Sequence, residues 1–318
     1  MKNTLRVFFY VLISWNLASG FLSAMTQEPT EPRESVKILT IGNSFTQNAT
    51  EYLSVLAEAA GKDLLIFRAN LGGASFERHA NFLEPEDDPN AEPGTPYKNH
   101  PHPKTGERQD FSLREALQSA DWDYVTIQQV SSRSFRPETF GAAHRLIAYI
   151  REHAPNAEIL IHQTWTYRND YSGYEKDDFS QQKMYDGLTA AYEGLAREYG
   201  LRLIPVGDAF HAAGQTAEWS YRKDPDFDFE NPPAGLLPDQ SGSLIVGYVL
   251  RGRDRSRLHF DFKHANTAGK YLGAAVWYEI LFGEPLPADT PTPDGLTRTE
   301  AESLRRIAHQ AVQKRTAN

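Results

Sequence analysis

Ser44 is the residue best placed in the sequence to act as a nucleophile. It follows Gly42 and Asn43 directly after the apolar run Val36 to Ile41. That run has the length and the β-branched residues of a buried strand. A serine that leaves such a strand lies at the carboxyl end of a parallel sheet, where α/β enzymes place their reacting groups. The same residues could instead serve only to turn the chain and cap a helix.

A candidate general base lies near the other end of the chain, in the pair Asp261 and His264. An Asp-x-x-His pair can hold a carboxylate against one imidazole nitrogen and leave the other nitrogen free. A nucleophilic serine needs such a base, with a fixed tautomer and a stabilised imidazolium. The separation from Ser44 in sequence is no objection, since a catalytic triad is defined in space. The alternative is an ordinary helix start, with Asp261 near its N-terminus and His264 exposed.

Two further segments could donate hydrogen bonds to a developing oxyanion. Gly72 and Gly73 follow the second predicted strand, and without side chains they let a backbone N–H approach a substrate oxygen. Gln128 and Gln129 stand at the end of the third predicted strand, where a side-chain amide could serve the same purpose. Each segment taken alone could equally be a turn or a polar strand end.

The elements that must position these residues alternate between strand and helix. The predicted strands are Val36 to Ile41, Leu64 to Ala69, Tyr124 to Gln128, Glu158 to His162 and Arg202 to Val206. The predicted helices are Thr50 to Gly61, Thr139 to His153, Gln181 to Tyr199, Ala265 to Phe282 and Glu300 to Arg315. This alternation predicts an α/β fold with a parallel sheet covered by helices on both faces.

The chain divides into a targeting segment, one large domain and an extension. Residues 1–24 have a positive start, a short apolar run and small residues at the end, which predicts a signal peptide rather than a membrane span. Residues 25–35 form a polar leader, 36–283 the α/β domain, and 284–318 a C-terminal extension with a terminal helix. Irregular insertions are predicted at 84–110 and 217–258.

Composition narrows the class of protein further. The chain has no cysteine, which excludes disulfides, thiolate catalysis and zinc sites built on cysteine. Export without disulfides favours a bacterial protein, periplasmic or secreted. The formal net charge of −9 argues against nucleic acid as a partner. We expect no metal, no cofactor and no stable membrane insertion after signal removal, and the sequence leaves the oligomeric state open.

Three of these segments together resemble the SGNH hydrolase superfamily, the GDSL-like esterases. Ile41-Gly42-Asn43-Ser44-Phe45 is similar to its first block, with Asn43 where the name motif has aspartate. Leu71-Gly72-Gly73 is similar to the block that supplies an oxyanion glycine, and Asp261 to His264, followed by Asn266 and Gly269, to the last block. The Ile-Gly-Asn-Ser-Phe-Thr form resembles an uncharacterised bacterial subgroup. The resemblance spans about Val36 to Gly283 and implies a three-layer α/β/α sandwich with a flavodoxin-like, five-stranded parallel sheet.

The resemblance also implies a role for each site residue. Ser44 would be the nucleophile, His264 the general base and Asp261 the residue that orients it. The oxyanion hole would consist of the backbone N–H groups of Ser44 and Gly73 and the amide of Gln128, with Gly72 and Gln129 as alternatives. Many members carry Gly-x-Asn-Asp after the third strand, whereas this chain has Gln128-Gln129-Val130-Ser131-Ser132 there.

The expected function is that of a secreted serine esterase that hydrolyses O-acyl esters, O-acetyl esters above all, on carbohydrates. Its partner would be a small-molecule or glycan ester. Candidate substrate-binding residues are Asn43, His79, Trp165 and Tyr167, the last two because aromatic faces suit sugar rings. A lipase or thioesterase of the same superfamily is an alternative, and so is a non-catalytic carbohydrate-binding protein on a hydrolase fold.

Overall fold

The computed structural model describes residues 32–85, 88, 91–176, 179–253 and 256–316. The predicted signal peptide at 1–24 and most of the predicted leader at 25–35 lie outside these residues. Within the described part of the chain, no helix is long and apolar enough to cross a membrane.

The five predicted strands are present, and the described residues contain four further strands in the insertions and near the C-terminal part of the domain. In chain order the strands are β1 (Ser35–Gly42), β2 (Asp63–Asn70), β3 (Tyr97–Pro101), β4 (Arg108–Phe111), β5 (Tyr124–Ile127), β6 (Glu158–His162), β7 (Arg202–Ile204), β8 (Ile245–Arg251) and β9 (Arg257–Ala265). Five of them form the central sheet in the order β2-β1-β5-β6-β7, and every neighbouring pair is parallel. The prediction of a five-stranded parallel sheet is confirmed.

Helices cover this sheet and complete the three layers. They are α1 (Ser44–Ala49), α2 (Leu53–Ala59), α3 (Phe76–Ala80), α4 (Leu113–Gln118), α5 (Gly141–His153), α6 (Gln181–Tyr199), α7 (Val206–Gly214), α8 (Thr267–Phe282) and α9 (Arg298–Thr316). The chain runs outward from β1 to β2 and then returns past β1 to β5. Right-handed crossovers therefore place α2 and α4 on opposite faces of the sheet. Helices α8 and α9 pack on each other, α8 contacts α2, and α4 packs on α5.

The first helix differs from its prediction in a way that bears on the site. The sequence predicts a helix from Thr50, but α1 already begins at Ser44, and α2 follows after a break at Thr50 to Tyr52. The earlier start has a local cause, because the Asn43 side chain accepts a hydrogen bond from the Phe45 N–H and caps the helix. Ser44 is therefore the first helical residue after β1.

The two predicted insertions contain hairpins rather than irregular loops alone. The first insertion contains the antiparallel pair β3–β4, which covers the second half of 84–110. The second insertion supplies β8, which pairs with β9 in a hairpin that carries Asp261 and His264. The register between β8 and β9 shifts between Ile245 and Gly247, so that β9 bulges just before Ala265. The alternative interpretation of Asp261 and His264 as an ordinary helix start is therefore wrong, because α8 begins only at Thr267.

Candidate active site

Ser44, His264 and Asp261 form one hydrogen-bonded chain. The Ser44 Oγ lies 2.9 Å from Nε2 of His264, and Nδ1 of His264 lies 2.9 Å from Oδ2 of Asp261. A carboxylate can only accept, so Nδ1 carries the proton and the lone pair of Nε2 faces the serine hydroxyl. This is the arrangement in which an imidazole can take a proton from a serine.

The Asp261 carboxylate is fixed within its own segment of chain. Its Oδ1 accepts hydrogen bonds from the backbone N–H groups of His264, at 3.1 Å, and Lys263, at 3.3 Å. Partial burial alone would raise the pKa of the Asp261 carboxyl, but the bonds from the His264 ring and from these backbone groups outweigh it and lower the pKa to about 2. Asp261 is therefore negative at any ordinary pH and can stabilise an imidazolium at His264.

Asn43 holds the nucleophile loop instead of facing substrate. Its Oδ1 accepts from the Phe45 N–H at 3.0 Å, and its Nδ2 donates to the Ala74 carbonyl at 2.8 Å. The side chain is buried, so the candidate role of Asn43 in substrate binding is corrected to a structural one. Because Ala74 follows the glycine pair, this bond joins the nucleophile loop to the second candidate block.

We expect Asn43→Asp to lower the free energy of unfolding by about 2–3 kcal/mol, measured by urea denaturation. Aspartate would keep the helix cap, but it would lose the N–H that donates to Ala74 and set a carboxylate oxygen against that buried carbonyl. Gln47→Glu makes the same chemical change at an exposed position of α1 and is expected to stay within about 0.5 kcal/mol of wild type. Equal stability of Asn43→Asp and wild type would contradict the assigned bond.

Gln128 supports the same loop from beneath. Its Oε1 accepts from the Asn43 N–H at 3.2 Å and from the Thr46 hydroxyl at 3.0 Å, and its Nε2 donates to the Gln129 carbonyl. The side chain is 0% exposed. A Cβ added at Gly42 would lie 2.3 Å from the Thr46 Oγ1 and 3.0 Å from the Gln128 Oε1, so this close packing requires glycine there.

The side-chain amide of Gln129 also bonds to backbone groups of neighbouring segments. Its Oε1 accepts from the N–H groups of Phe76 and Val130, and its Nε2 donates to the Thr139 carbonyl at 2.9 Å. The prediction that the amide of Gln128, or alternatively of Gln129, donates to an oxyanion is therefore corrected. Both amides are buried, and both amide nitrogens already donate to backbone carbonyls.

The glycine pair forms a tight turn at the protein surface. The Ala74 N–H donates to the Leu71 carbonyl at 3.0 Å, and Gly73 has a φ of 64°, which favours glycine. Both glycines are exposed, and the Arg78 guanidinium donates to the Gly72 carbonyl at 2.9 Å. The backbone N–H groups of Ser44, Gly72 and Gly73 therefore remain the candidate oxyanion donors, and the preference for Gly73 stays a prediction.

His79 links the first insertion to the nucleophile turn. Its Nε2 lies 3.0 Å from the Gly42 carbonyl, and its Nδ1 lies 3.0 Å from the Tyr97 hydroxyl of β3. Burial lowers the pKa of His79 to about 4, so the ring is neutral near pH 7. The candidate role of His79 in substrate binding is corrected, because both ring nitrogens serve internal contacts and the ring is buried.

The two candidate aromatic residues also belong to the packing of the site. Trp165 is fully buried between Phe45 and Phe210, with ring centroids 4.4 and 4.5 Å away. Tyr167 is nearly buried, and its hydroxyl donates to the Ser131 Oγ at 3.3 Å. Trp165 is therefore corrected to a core residue, and the buried Tyr167 offers little surface to a sugar ring.

Sequence reasoning missed two polar groups that support the site. His162 lies 3.1 Å through its Nδ1 from the Thr46 hydroxyl, and burial lowers its pKa to about 3. Asn48 accepts a hydrogen bond from the Ala265 N–H at 3.0 Å, next to His264. Single polar residues inside otherwise ordinary elements carry no spacing signal that could have identified them. Among the described residues, no group of three or more His, Asp or Glu side chains is arranged to hold a metal ion.

The fold and the site together define an α/β protein in which Ser44, His264 and Asp261 form a hydrogen-bonded chain at the carboxyl edge of a parallel sheet. Comparison with family models identifies the family to which the chain belongs. The model of DUF4886, a domain of unknown function, matches residues 37–228, more than half of the chain, and the chain therefore belongs to this family. The match includes Ser44 but ends before Asp261 and His264.

Solved structures extend the similarity to most of the chain. A DUF4886 family protein from Bacteroides uniformis is 27% identical, with a TM-score of 0.63, over 89% of this chain and 96% of that one. A proposed SGNH hydrolase from Slackia heliotrinireducens is 21% identical (TM-score 0.46; 77% and 98% covered). The acetyl xylan esterase AlAXEase is 14% identical (TM-score 0.44; 77% and 100% covered). The last two similarities are too distant to indicate an activity, and no functionally curated protein matches the chain.

Proposed function

We propose that this protein is a serine ester hydrolase of the SGNH type. The observation that carries the proposal is the 2.9 Å contact between the Ser44 Oγ and Nε2 of His264, with Asp261 on the other ring nitrogen. A structural serine does not need a base aligned in this way. A carboxylate on one imidazole nitrogen fixes the tautomer and stabilises the imidazolium, as the activation of a hydroxyl requires.

The proposed reaction has two halves. In the first half, the Ser44 oxygen attacks the ester carbonyl while His264 takes its proton. Backbone N–H groups of Ser44 and Gly73 stabilise the negative oxygen of the tetrahedral intermediate. His264 then gives the proton to the departing alcohol, which leaves an acyl group on Ser44. In the second half, His264 activates a water that attacks this acyl-serine, and the carboxylic acid and free Ser44 result.

We further propose that the acyl group is short, acetyl above all, and that the alcohol is a carbohydrate. A long acyl chain requires an extended apolar groove. Among the described residues, the large apolar side chains that are well exposed are Val55, Leu236 and Leu237, which are too few to line such a groove. The carbohydrate part and a periplasmic or secreted location are proposals that depend on the resemblance and on the predicted signal peptide.

A substrate series would test this proposal. We expect an aryl acetate to be hydrolysed at least about 10-fold faster, in kcat/KM, than the matched aryl octanoate. The additional methylene groups of the octanoate have no apolar pocket to enter, so they gain no binding energy that would offset their bulk. Acetylated xylan and acetylated sugars should release acetate, whereas triglyceride emulsions should not. Faster hydrolysis of the octanoate would overturn the short-acyl proposal, and no hydrolysis of any ester would overturn the proposed function.

A further inference from the structure

The hairpin that carries Asp261 and His264 is held in place by the loop that follows β6. Its bulge receives two hydrogen bonds from that loop, from the Trp165 Nε1 to the Lys263 carbonyl and from the Arg168 N–H to the Phe262 carbonyl, both 2.9 Å. The contacted carbonyls belong to the two residues between Asp261 and His264 in the chain. The loop after β6 therefore fixes the position of the bulge between Asp261 and His264.

The Arg168 side chain ties the same loop to the other strand of the hairpin. Its guanidinium, only 3% exposed as a residue, binds both oxygens of Asp170 at 2.7 Å and the Gln240 Oε1 at 2.7 Å. Gln240 in turn accepts from the Tyr248 N–H at 2.6 Å and donates to the Tyr248 carbonyl at 2.9 Å, in β8. The planar guanidinium of Arg168 is thus connected to the backbone of β8 through the side-chain amide of Gln240.

Tyr221 and residues of the hairpin surround this cation closely. The Arg168 guanidinium carbon lies 4.0 Å from the ring centre of Tyr221 and 4.8 Å from that of Phe260, within cation–π range. Gly247 has a φ of 70°, and a Cβ there would lie 1.9 Å from Nη1 of Arg168. The guanidinium therefore fills the space that any other residue at position 247 would occupy.

We propose that Arg168 is the positioning residue that sets the distance between His264 and Ser44. Asp261 and His264 are joined to each other within one bulge, so their mutual contact does not depend on Arg168. Ser44 belongs to a different part of the fold, after β1. Besides the bond from the Ala265 N–H to Asn48 of α1, the alignment of His264 with Ser44 therefore depends on how the loop after β6 anchors the hairpin. This inference rests on the proposed function.

The test separates the rate at which Ser44 reacts from the fraction of molecules that can react. We expect Arg168→Gln to slow both fluorophosphonate labelling of Ser44 and aryl acetate turnover by about 100-fold, since a displacement of about 1 Å costs that much. KM should stay near wild type, and labelling should still reach every folded molecule. The acidic limb of the pH profile should not move, because the Asp261–His264 contact persists. Arg168→Lys keeps the charge without the fork and should lie between Arg168→Gln and wild type.

Controls distinguish positioning from loss of folding. Arg222→Gln removes an exposed arginine close to Tyr221 and should leave the labelling rate unchanged. Incomplete labelling of Arg168→Gln at the wild-type rate would show a purely structural role and overturn the proposal. A wild-type rate in Arg168→Gln with complete labelling would also overturn it. Failure of the wild-type protein itself to label would instead refute the proposed function.

Gly247→Ala approaches the same contact from the hairpin side. The added methyl group cannot coexist with the Arg168 guanidinium where it stands, so this variant should slow labelling in the same way. Part of the decrease in labelling rate comes from the clash with the guanidinium, and this part should be absent when Arg168 is alanine. The double variant Gly247→Ala, Arg168→Ala should therefore label faster than the product of the two single-variant decreases predicts. Fully multiplicative effects would mean that the two residues act independently, against the proposal.

Discussion

Replacing Ser44 with alanine is expected to lower kcat/KM for an aryl acetate by about 10⁴- to 10⁶-fold, as loss of a catalytic serine does in other hydrolases. The reason is chemical, because the variant keeps the imidazole and the oxyanion donors but has no oxygen to acylate. Folding should be preserved, since the Asn43 side chain and not Ser44 caps α1. The measurement is initial-rate kinetics together with a urea unfolding curve.

A matched control for this prediction is Ser54→Ala, an exposed serine of α2. It should retain wild-type turnover and wild-type labelling by a fluorophosphonate, whereas Ser44→Ala should lose both. Turnover in Ser44→Ala within about 10-fold of wild type, with a native unfolding curve, would show that another group acts as the nucleophile.

Asp261→Asn is expected to lower kcat by about 10⁴-fold, through the tautomer of His264. In the native protein, Oδ1 accepts from the backbone N–H groups of Lys263 and His264 while Oδ2 faces Nδ1. An asparagine must use its single oxygen for those backbone donors, which turns its NH₂ group toward Nδ1. The ring then carries its proton on Nε2 and cannot accept the proton of Ser44.

The same substitution has a pH-dependent effect on stability with a defined sign. The pKa of the Asp261 carboxyl is lowered from 3.8 to about 2 on folding, so its contribution to stability is present above about pH 4 and is lost as the pH falls through 2. The difference in unfolding free energy between wild type and Asp261→Asn should therefore narrow over that range. A difference in unfolding free energy that widens toward low pH would contradict the assigned contacts of Asp261. In the kinetic experiment, a kcat of Asp261→Asn near that of wild type would show that Asp261 is not part of the triad.

The central sheet was predictable because its strands are continuous apolar runs. Each of the five predicted runs falls on a strand of the structure, and no strand end is displaced by more than two residues. The last predicted strand stops at Ile204 and not at Val206, because Pro205 lacks a backbone N–H and Val206 begins α7. The hairpin of β8 and β9 was not predicted, since its residues alternate with glycines and charges that are typical of loops.

The contact between Ser44, His264 and Asp261 was predictable for a different reason. Ser44, Asp261 and His264 stand in recognisable local motifs, and their chemistry follows from residue type. The roles of Gln128 and His79 were not predictable, because the same polar side chain can face a substrate or a buried carbonyl, and only burial distinguishes the two. The role of Arg168 was not predictable either, because only Asp170 among its partners is close in sequence, whereas Gln240 and Tyr248 lie about 70 to 80 residues further along the chain.

The contact between Ser44 and His264 joins residues that are 220 positions apart in the chain. A ribosome that adds about 5–20 residues per second needs roughly 10–45 seconds to synthesise that interval. During this time the growing chain already contains its serine but has no base, and an unassisted serine hydroxyl is a weak nucleophile. Under the proposed mechanism, Ser44 therefore gains its base only after the β8–β9 hairpin has been synthesised and has packed beside α1.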